Sequence, residues 1–434
     1  MTDRRQPLSG WGRYPVVEAT VETPRDPGAA VLRLRDGIET LPRGNGRAYG
    51  DAALADHVMQ SGQLDCLLSF DTEAGVVEVE SGITLNQLLR AVLPFGWFLP
   101  VTPGTSFASV GGCIAADVHG KNHHVDGSFG GFVERIDILD ANGDRISLDR
   151  DNHPDWFYAT IGGMGLTGFI VSARLKLKAV QSTRIAETTI PCGSAGELHD
   201  ALLDNDARYS VAWVDMTGKD MGRGNLSLGD HIEKPGRLSA RALPSAHRLP
   251  ALPFRVGLND MSIQVFNRLM VARANATTRS IPLGRFFYPL DAADAWNAWY
   301  GDKGFIQYQF VIPLDDSRKG LDEVYRLVGS FRQKPYLAVL KVMGDSNESP
   351  LSFPMKGFTL AMDFPRQKNV ITDLGRLDLL IEELGGRVYL AKDAVSSQRL
   401  FQAGYPAWES FRELRRSKGL DKVFNSALSR RLEL

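Results

Sequence analysis

The chain has 434 residues, of which 43% are hydrophobic and 23% are charged, and its formal net charge is −1. This composition is typical of a folded protein of two or three domains, and the near-zero net charge gives no bias toward nucleic acid or another strongly charged partner. The three cysteines, Cys66, Cys113 and Cys192, lie far apart in sequence, so they predict neither a disulfide framework nor a zinc site, and we expect free, buried thiols.

The N-terminal segment carries no recognisable secretory signal, because no apolar run follows Arg4 and Arg5. We therefore expect a cytoplasmic protein and leave open a peripheral contact with the inner membrane. Residues 92–116 lack charge, but prolines, glycines and hydroxyl residues interrupt them. Packing around a cofactor explains this segment better than a transmembrane helix does.

The first half of the chain contains three glycine-rich segments. They are residues 43–51 (Arg-Gly-Asn-Gly-Arg-Ala-Tyr-Gly-Asp), residues 103–130 and residues 162–168. Glycine permits positive φ and close approach of the backbone to a ligand. Ordinary turn chemistry would explain any one of these segments equally well. Three of them in one half favour a ligand that contacts several loops.

Between the first two segments, the sequence predicts a strand followed by a helix. Val76–Glu80 alternates as a strand does, and Thr84-x-x-Gln87 forms a capping box. The helix is indicated by apolar residues at helical spacing, Leu85, Leu88, Leu89 and Val92. Farther along, two apolar runs on either side of Asn142-Gly143 predict a hairpin. The first half is therefore predicted to be α+β.

Residues 103–130 have no regular hydrophobic period, which predicts an irregular loop with free backbone N–H groups. Such a loop suits a ligand that has both an anionic diphosphate and a planar ring. His119, with an ordinary pKa of about 6.5, could act as a base or contact that ring. His123 and His124 lack the spacing of a metal site, so no metal is predicted.

The third segment contains Gly163-x-Gly165-x-x-Gly168, which matches the dinucleotide fingerprint of a Rossmann fold. That fingerprint should follow a strand and begin a helix. Here a helix-like run, Asp155–Ile161, comes first, and a strand-like run, Phe169–Val180, comes after. The order of elements argues against a Rossmann fold.

Residues 233–259 form a basic, proline-rich segment with one acid, Glu233, and five cations, namely Lys234, Arg237, Arg241, Arg248 and Arg255. We predict a mobile loop, which is either a solvated linker or a lid that meets a membrane surface or a polyprenyl phosphate. Each basic residue contributes about 1 kcal/mol near an anionic lipid surface. Apolar residues that fit the second role are Leu243, Leu249, Leu252 and Phe254.

The sequence pattern of the second half predicts a β-α-β-β-α-β unit. Two amphipathic helices, near residues 321–331 and 374–384, lie between four predicted strands, Phe305–Ile312, Tyr336–Met343, Phe358–Phe364 and Arg387–Ala391. This order predicts a ferredoxin-like domain with an antiparallel sheet. Helices cover one face of such a sheet, and the other face is available to cover a cofactor.

Polar side chains within these strands are candidates for a site. Gln307 and Gln309 are two residues apart, so they share a strand face, and buried amides need partners such as sugar hydroxyls. Lys341 interrupts an apolar strand face, so it either lines the same cavity or ends an edge strand. The Lys392 ammonium could stabilise developing negative charge, and the alternative is a solvent-facing lysine.

Several of these motifs resemble the FAD-binding domain of vanillyl-alcohol-oxidase-type flavoproteins. They are the segment from Arg43, the run Asp117-Val118-His119-Gly120-Lys121-Asn122-His123-His124 and the Gly165-Leu166-Thr167-Gly168 turn. Within this group the chain is most similar to the decaprenylphosphoryl-β-D-ribose 2-oxidases. The similarity continues through residues 307–313, 351–354, 363–365, 389–393 and 430–434.

The resemblance implies a two-subdomain FAD-binding domain (residues 1–182), a substrate-binding domain (183–386) and a C-terminal return to the FAD domain (387–434). It implies hydride transfer to flavin N5 from a secondary hydroxyl of a sugar, namely C2 of a polyprenyl-phosphoryl pentofuranose, on the route from ribose to arabinose for cell-envelope glycans. The implied partner is an NAD(P)H-dependent keto-reductase. A soluble aldonolactone (D-arabinono-1,4-lactone-type) or alditol oxidase and a non-catalytic flavin-binding protein stay open.

The resemblance also implies roles for individual residues. Lys392 and His119 are implied to be catalytic, and Gln307, Gln309, Lys341 and Lys392 to bind substrate. The implied FAD-binding residues are Arg43, Gly44, Asn45, Gly46, Arg47, Ala48, Tyr49, Gly104, Ser109, Gly111, Gly112, Ala116, His119, Ile170 and Tyr389.

Two positions depart from the pattern of the similar oxidases. Related oxidases often tether FAD through a histidine in the first glycine-rich segment, where this chain has Arg47 and Ala48. We therefore predict noncovalent FAD. Ala361 stands where the most similar oxidases commonly have cysteine.

Overall fold

The computed structural model describes residues 5–218, 220–236, 238–245, 263, 276–293 and 295–434. These residues combine helices and strands, in agreement with the predicted α+β class. No helix among them is both long and apolar enough to span a membrane.

The strands are named β1 to β19 in chain order: Arg5–Ser9, Val16–Glu22, Leu41–Arg43, His57–Gln60, Leu67–Asp71, Val76–Glu80, Trp97–Phe98, Val133–Leu139, Arg145–Leu148, Phe169–Lys176, Lys178–Ala179, Arg184–Cys192, Tyr209–Val214, Gly224–His231, Thr277–Pro282, Phe305–Pro313, Leu337–Met343, Gly357–Pro365 and Arg387–Val388. The helices that are described over their full length are named α1 to α12: Pro27–Arg35, Leu85–Val92, Val110–Ala115, His123–Asp126, Pro154–Thr160, Ala195–Leu203, Leu283–Phe287, Ser317–Ser330, Val370–Glu383, Gln398–Gly404, Trp408–Ser417 and Ala427–Leu432.

The described strands form three larger sheets and one two-stranded sheet, which consists of β7 and β11. The first half of the chain supplies a four-stranded sheet in the order β1-β2-β4-β3 and a five-stranded sheet in the order β5-β6-β10-β8-β9. The third sheet has eight strands in the order β15-β12-β14-β13-β17-β18-β16-β19, and all of its neighbouring strands are antiparallel.

The predicted elements of the second half are present between β16 and β19. Helices α8 and α9 pack on one face of the sheet, where Ile306, Tyr308 and Phe310 of β16 join the core. The opposite face carries Gln307 and Gln309. The last strand is shorter than predicted, because it pairs only through residues 387–388 and the chain then turns, with Lys392 N–H donating to the Tyr389 carbonyl.

Most predicted elements of the first half are also present. Strand β6 precedes α2, whose capping box from Thr84 and Gln87 is complete, and β8 and β9 form the hairpin around Asn142-Gly143. Residues 103–130 differ from the predicted irregular loop, because they contain the short helices α3 and α4. Ser109 caps α3 by accepting a hydrogen bond from the N–H of Gly112. A helix of six residues with two glycines is too short to show a hydrophobic period.

The third glycine-rich segment lies between α5 and β10, so a helix precedes it and a strand follows it. This is the predicted order, and it is the reverse of the dinucleotide fingerprint. Gly162, Gly165 and Gly168 all have positive φ, which explains glycine at these three positions.

The basic segment 233–259 is described only in part, since Arg237, Arg248, Arg255, Leu249, Leu252 and Phe254 lie outside the described residues. Within this segment, which was predicted to be a mobile loop, residues 243 and 244 contact the first half of the chain. Leu243 is buried in the core of the first half, and the Pro244 carbonyl accepts hydrogen bonds from Asn86 and Arg90. Leu243 is therefore no part of an apolar surface, whereas Lys234 and Arg241 are exposed.

The cysteines are free, but the expectation that all three are buried was wrong for Cys66. Cys66 immediately precedes the edge strand β5, whose residues are largely exposed, so the chain gives its side chain nothing to pack against.

The C-terminal helices return to the first half of the chain. Arg431 in α12 bridges two buried carboxylates, with its Nε 2.9 Å from Asp51 Oδ2 and its Nη2 2.8 Å from Asp393 Oδ2. Asp51 ends the first glycine-rich segment and Asp393 follows Lys392. The bridge therefore holds Lys392 against that segment.

Candidate active site

A cavity of about 340 Å³ lies between the glycine-rich segments and the outer face of the eight-stranded sheet. Its size is within the range of small-molecule and cofactor sites. The structure brings all the predicted site residues into its wall: Arg43, Gly44, Asn45, Gly46, Arg47, Ala48, Tyr49, Gly104, Ser109, Gly111, Gly112, Ala116, His119, Ile170, Gln307, Gln309, Lys341, Tyr389 and Lys392. Residues that are about 350 positions apart thus share one site.

The glycine end of the cavity is shaped by close backbone packing. A Cβ on Gly44 would lie 2.1 Å from Ser109 Oγ, and a Cβ on Gly111 would lie 2.8 Å from Ser81 Cβ. A Cβ on Gly104 would meet nothing within 4 Å. Glycine at 44 and 111 therefore lets the first segment approach α3, and glycine at 104 leaves the cavity open.

Two buried polar atoms at this end have no hydrogen-bond partner among the described residues, namely Ser81 Oγ and Arg43 Nε. The other nitrogens of Arg43 donate to the carbonyls of Ala53 (2.7 Å) and Ser9 (2.8 Å). Burial lowers the pKa of Arg43 to about 10, so it stays a cation near neutral pH. A cationic wall with unpaired donors and a glycine cradle fits the diphosphate and ring of FAD.

His119 is buried and bonded on both ring nitrogens. Its Nδ1 is 2.9 Å from Lys341 Nζ, and its Nε2 is 3.1 Å from Gln309 Nε2. Burial, followed by the charge of Lys341, holds the pKa of His119 well below its ordinary value. The ring is therefore neutral near pH 7, with one nitrogen that accepts a hydrogen bond and one that donates.

Two lysines place positive charge on the sheet side of the cavity. Burial, followed by the charges of Lys121 and Lys392, lowers the pKa of Lys341 to about 7. Burial also lowers the pKa of Lys392 to about 7, against the opposing effect of Asp363. Lys392 Nζ sits 3.4 Å from the centre of the Tyr49 ring. Near pH 7, each of the two lysine side chains is therefore present in both its charged and its neutral form.

The two glutamines share a face, as predicted. Gln309 Nε2 is 3.1 Å from Thr359 Oγ1, and Gln307 Nε2 donates to Asp363 Oδ1. Both side chains are buried, and both line the cavity.

Several wall residues were not predicted. Trp11, Leu290 and Trp296 line the cavity, and they come from segments without a regular pattern, so no signal in the sequence could have found them. Asp363 does not line the cavity and was not predicted as a site residue, although its alternation with Ala361 in a buried strand placed it on the same face as Gln307.

The turn that carries His119 is held by a second unpredicted residue, Asp117. Its buried carboxylate accepts hydrogen bonds from Ser128 Oγ (2.8 Å), Gly130 N (2.9 Å) and Asn347 Nδ2 (2.7 Å). Asp117 also has a left-handed φ of 38°. Ser352 Oγ donates to the same carboxylate, and four donors from two segments explain how this turn is fixed.

His123 and His124 each contact the backbone through one ring nitrogen. His123 Nδ1 accepts from Gly344 N, and His124 Nε2 is 3.1 Å from the Ala207 carbonyl oxygen. Within the described part of the chain, no group of three or more His, Cys, Asp or Glu side chains is placed to hold a metal ion.

Comparison with known proteins agrees with this geometry. The FAD binding domain family matches residues 20–149. Over 98% of the chain and 97% of the relative, the sequence is 34% identical to the decaprenylphosphoryl-β-D-ribose oxidase of Mycolicibacterium smegmatis. It is also 34% identical to an uncharacterised protein of Streptomyces coelicolor, over 81% of the chain and all of that protein.

A more distant similarity covers about a quarter of the chain. The human Δ(24)-sterol reductase is 29% identical over 26% of this chain and 22% of its own length. Near-complete coverage at 34% identity, together with the glycine cradle, identifies the family. The chain belongs to the decaprenylphosphoryl-β-D-ribose oxidase family of vanillyl-alcohol-oxidase-type flavoproteins, and it is an FAD-dependent oxidoreductase.

Proposed function

We propose that this protein oxidises the C2 hydroxyl of a polyprenyl-phosphoryl pentofuranose to a ketone. The observation that carries the proposal is the single cavity whose one wall is a glycine cradle for FAD and whose other wall holds Lys392, Lys341, Gln307 and Gln309. The relative from Mycolicibacterium smegmatis is named for the decaprenylphosphoryl-β-D-ribose substrate, which supports the choice of sugar.

Oxidation of a secondary alcohol removes a hydride from carbon and a proton from oxygen, and the neutral amine of Lys341, whose pKa is lowered to about 7, is the base in the cavity wall that takes the proton. FAD, when bound, accepts the hydride. The residues of the glycine cradle would hold it, chiefly those from Arg43 to Tyr49 and from Gly104 to Ala116.

The chain's own polar residues bind and orient the sugar and stabilise charge. Gln307 and Gln309 present amides to the sugar hydroxyls. The Lys392 ammonium stabilises negative charge that develops on the substrate oxygen and in the cavity. His119 is neutral, so we assign it to positioning Gln309 and Lys341, with which it forms hydrogen bonds, and not to proton storage.

The lipid-linked substrate is favoured over a free lactone by the apolar part of the wall. This part consists of Trp11, Leu290, Trp296, Leu337 and Val339. A polyprenyl chain needs such a surface, because each buried methylene contributes about 0.8 kcal/mol. A free sugar lactone has nothing to place there.

The test compares substrates directly. Anaerobic bleaching of the bound flavin would be measured with polyprenyl-phosphoryl ribose, its short-chain analogue, D-arabinono-1,4-lactone and an alditol. We expect the long-chain pentose to have the highest kcat/KM. A preference for the lactone or alditol would replace the proposal with a soluble oxidase, and no bleaching by any of them would favour a non-catalytic flavin protein.

The proposal includes noncovalent FAD. Arg47 and Ala48 occupy the part of the cavity wall where a tethering histidine would have to stand, and Arg47 packs over the Trp11 ring at 4.1 Å. Acid precipitation should therefore release yellow flavin into the supernatant. Flavin that stays with the pellet would contradict this part.

We also propose the following domain boundaries. Residues 1–182 form a two-subdomain FAD-binding domain, 183–386 a ferredoxin-like substrate domain, and 387–434 return to the FAD domain. The ketone product is a substrate for an NAD(P)H-dependent keto-reductase, which would return it as the epimer for cell-envelope glycan synthesis.

A peripheral membrane contact through residues 233–259 is a further part of the proposal. Lys234 and Arg241 are its described, exposed cations. Replacing both with serine should weaken binding to anionic vesicles, by about 1 kcal/mol for each cation, and more so at low salt. Turnover of the short-chain substrate should not change. Unchanged vesicle binding would leave the segment as a linker.

A further inference from the structure

The guanidinium group of Arg47 packs on two aromatic rings at the cavity wall. Its central carbon is 4.1 Å from the centre of the Trp11 ring and 5.5 Å from the centre of the Phe107 ring, and Arg47 lines the cavity. Stacking of this kind uses the flat face of the guanidinium group and leaves its N–H edge for an anion.

Trp11 is itself fixed in three ways. Its N–H donates to the Ala48 carbonyl (2.7 Å), its carbonyl accepts from Asn297 Nδ2 (2.9 Å), and its ring meets the Trp296 ring edge to face, with 5.9 Å between the ring centres. Because Ala48 follows Arg47 in the chain, the stacked ring and guanidinium group are also joined through the backbone. Arg47 therefore has a rigid support.

Arg47 is close to two parts of the cavity wall. Trp11 and Trp296 belong to the apolar part that we assign to the polyprenyl chain. Two residues after Arg47, the ring of Tyr49 contacts the Lys392 ammonium, whose Nζ is 3.4 Å from the ring centre. Two residues of backbone span at most about 7 Å, so Arg47 adjoins both the apolar wall and the lysine that acts on the sugar.

The proposed substrate carries its charge at the matching place. In a polyprenyl-phosphoryl sugar, an anionic phosphodiester joins C1, the neighbour of the C2 that is oxidised, to the apolar chain. A wall that holds the sugar at one end and the chain at the other therefore has the phosphodiester between them. Arginine suits this group, because its planar edge donates two parallel hydrogen bonds to two phosphate oxygens.

A buried carboxylate beside this wall is bonded to other donors. Asp291 is 5% exposed, and its Oδ2 accepts hydrogen bonds from Ser106 N (2.6 Å) and Ser106 Oγ (2.7 Å). Burial raises the pKa of Asp291, and the charge of Arg47 is among the smaller effects that lower it. Asp291 does not line the cavity, whereas its neighbour Leu290 does. Its carboxylate thus holds the wall in place without occupying the cavity.

We propose that the Arg47 side chain binds the phosphodiester of the substrate, so that the cavity recognises a phosphoryl-linked sugar in preference to a free one. The inference rests on the function proposed above and adds a binding site for the anionic part of the substrate. The backbone of residues 43–49 stays with the FAD cradle.

The first test measures binding without turnover. Farnesyl phosphate, farnesol and inorganic phosphate would each be titrated into the FAD-loaded protein in a calorimeter. We expect farnesyl phosphate to bind at least about tenfold more tightly than farnesol, because hydrogen bonds between charged groups are among the strong ones. Inorganic phosphate should bind weakly, since it has no apolar chain. Equal affinities for farnesyl phosphate and farnesol would overturn the proposal.

The Arg47→Met variant removes the charge and keeps an apolar side chain against Trp11. It should retain FAD and bind farnesyl phosphate no better than farnesol. Arg47→Lys keeps the charge without the planar edge and should retain part of the preference. A full preference in Arg47→Met would overturn the proposal, and so would loss of FAD, which would assign the side chain to the cofactor. Arg47→Gln gives the same test if the methionine variant does not fold.

Arg366 provides a matched control. Its guanidinium carbon is 4.2 Å from the centre of the Tyr14 ring, so it also stacks on an aromatic residue of the N-terminal segment, but it does not line the cavity. Arg366→Met should keep the preference for farnesyl phosphate. A loss as large as that in Arg47→Met would show a general effect of removing positive charge and would overturn the proposal.

Kinetics separate this inference from the proposed function. With a short-chain phosphoryl pentose, Arg47→Met should raise KM about tenfold and change kcat much less, because the phosphodiester does not react. With a methyl pentofuranoside, which has no phosphate, KM should be the same in both proteins. Equal losses for the two sugars would overturn the inference. If no sugar reduces the flavin, the proposed function fails, and the titrations with farnesyl phosphate still decide whether Arg47 binds a phosphate.

Discussion

The two faces of strand β16 are equally buried but chemically opposite. On one face, Ile306, Phe310 and Ile312 pack against α8 and α9 in a continuous apolar core. On the other face, Gln307 and Gln309 look into the cavity, with exposures of 8% and 5%. A strand that served only to hold the sheet together would have apolar residues on both buried faces.

The difference between the two faces of β16 separates the residues that the fold requires from those that the reaction requires. Apolar burial stabilises the protein, at about 25 cal/mol per Å². Buried amides contribute little net stability, because their hydrogen bonds replace bonds to water. The cavity face therefore carries a set of residues that the fold does not need. Substitutions on the two faces should separate stability from activity.

The largest effect is expected on the core face. Phe310→Ala should lower the free energy of unfolding by about 3–5 kcal/mol, because it removes a buried ring and leaves a cavity. Denaturant unfolding of the FAD-saturated protein would measure this. Phe310→Leu is the control and should cost less than about 1.5 kcal/mol. A small loss for alanine would mean that the core around α8 and α9 relaxes to fill the space.

Lys392→Met should have the opposite profile. It removes the charge at the cavity wall while keeping the length of the side chain, so FAD binding and stability should change little. Flavin bleaching by substrate should fall about 10²–10³-fold, corresponding to about 2.7–4 kcal/mol of lost charge stabilisation. The exposed Lys356 provides a control, and Lys356→Met should bleach normally. Near-normal bleaching in Lys392→Met would remove Lys392 from the mechanism.

The contrast between the faces also explains what the sequence could predict. The period of two in Gln307 and Gln309 placed them on one face, and the helical spacing in α8 and α9 predicted which face was covered. Local signals of this kind were enough for the capping box of Thr84 and the hairpin at Asn142-Gly143. They also indicated that residues 43–51 and 103–130 hold a ligand.

The remaining features depend on contacts between distant residues. The short helix α3 has too few residues for a period, and its position depends on Gly44 meeting Ser109. Leu243 was assigned to a mobile surface because its neighbours are basic, but it packs in a core built mainly from residues 30–180. The bridge from Arg431 to Asp51 and Asp393 joins the last helix to the first glycine-rich segment, which no local pattern could reveal.

The smallest effect on stability, and the sharpest test of the contrast, is expected for Gln309→Leu. The leucine removes the contacts of Gln309 with Thr359 Oγ1 and His119 Nε2, but it adds apolar surface at a buried position. These opposing effects should leave the free energy of unfolding within about 1 kcal/mol of its original value.

Activity should respond differently to the same change. A cavity-facing amide that binds a sugar hydroxyl contributes about 0.5–1.5 kcal/mol, so KM for the sugar should rise by roughly threefold to tenfold while FAD stays bound. Gln309→Asn keeps the amide but shortens the side chain. Its KM for the sugar should therefore lie between the values for the unmodified protein and for Gln309→Leu. A loss of stability in Gln309→Leu as large as that in Phe310→Ala would show that both faces hold the fold together, and the distinction between a structural and a functional face of β16 would be wrong.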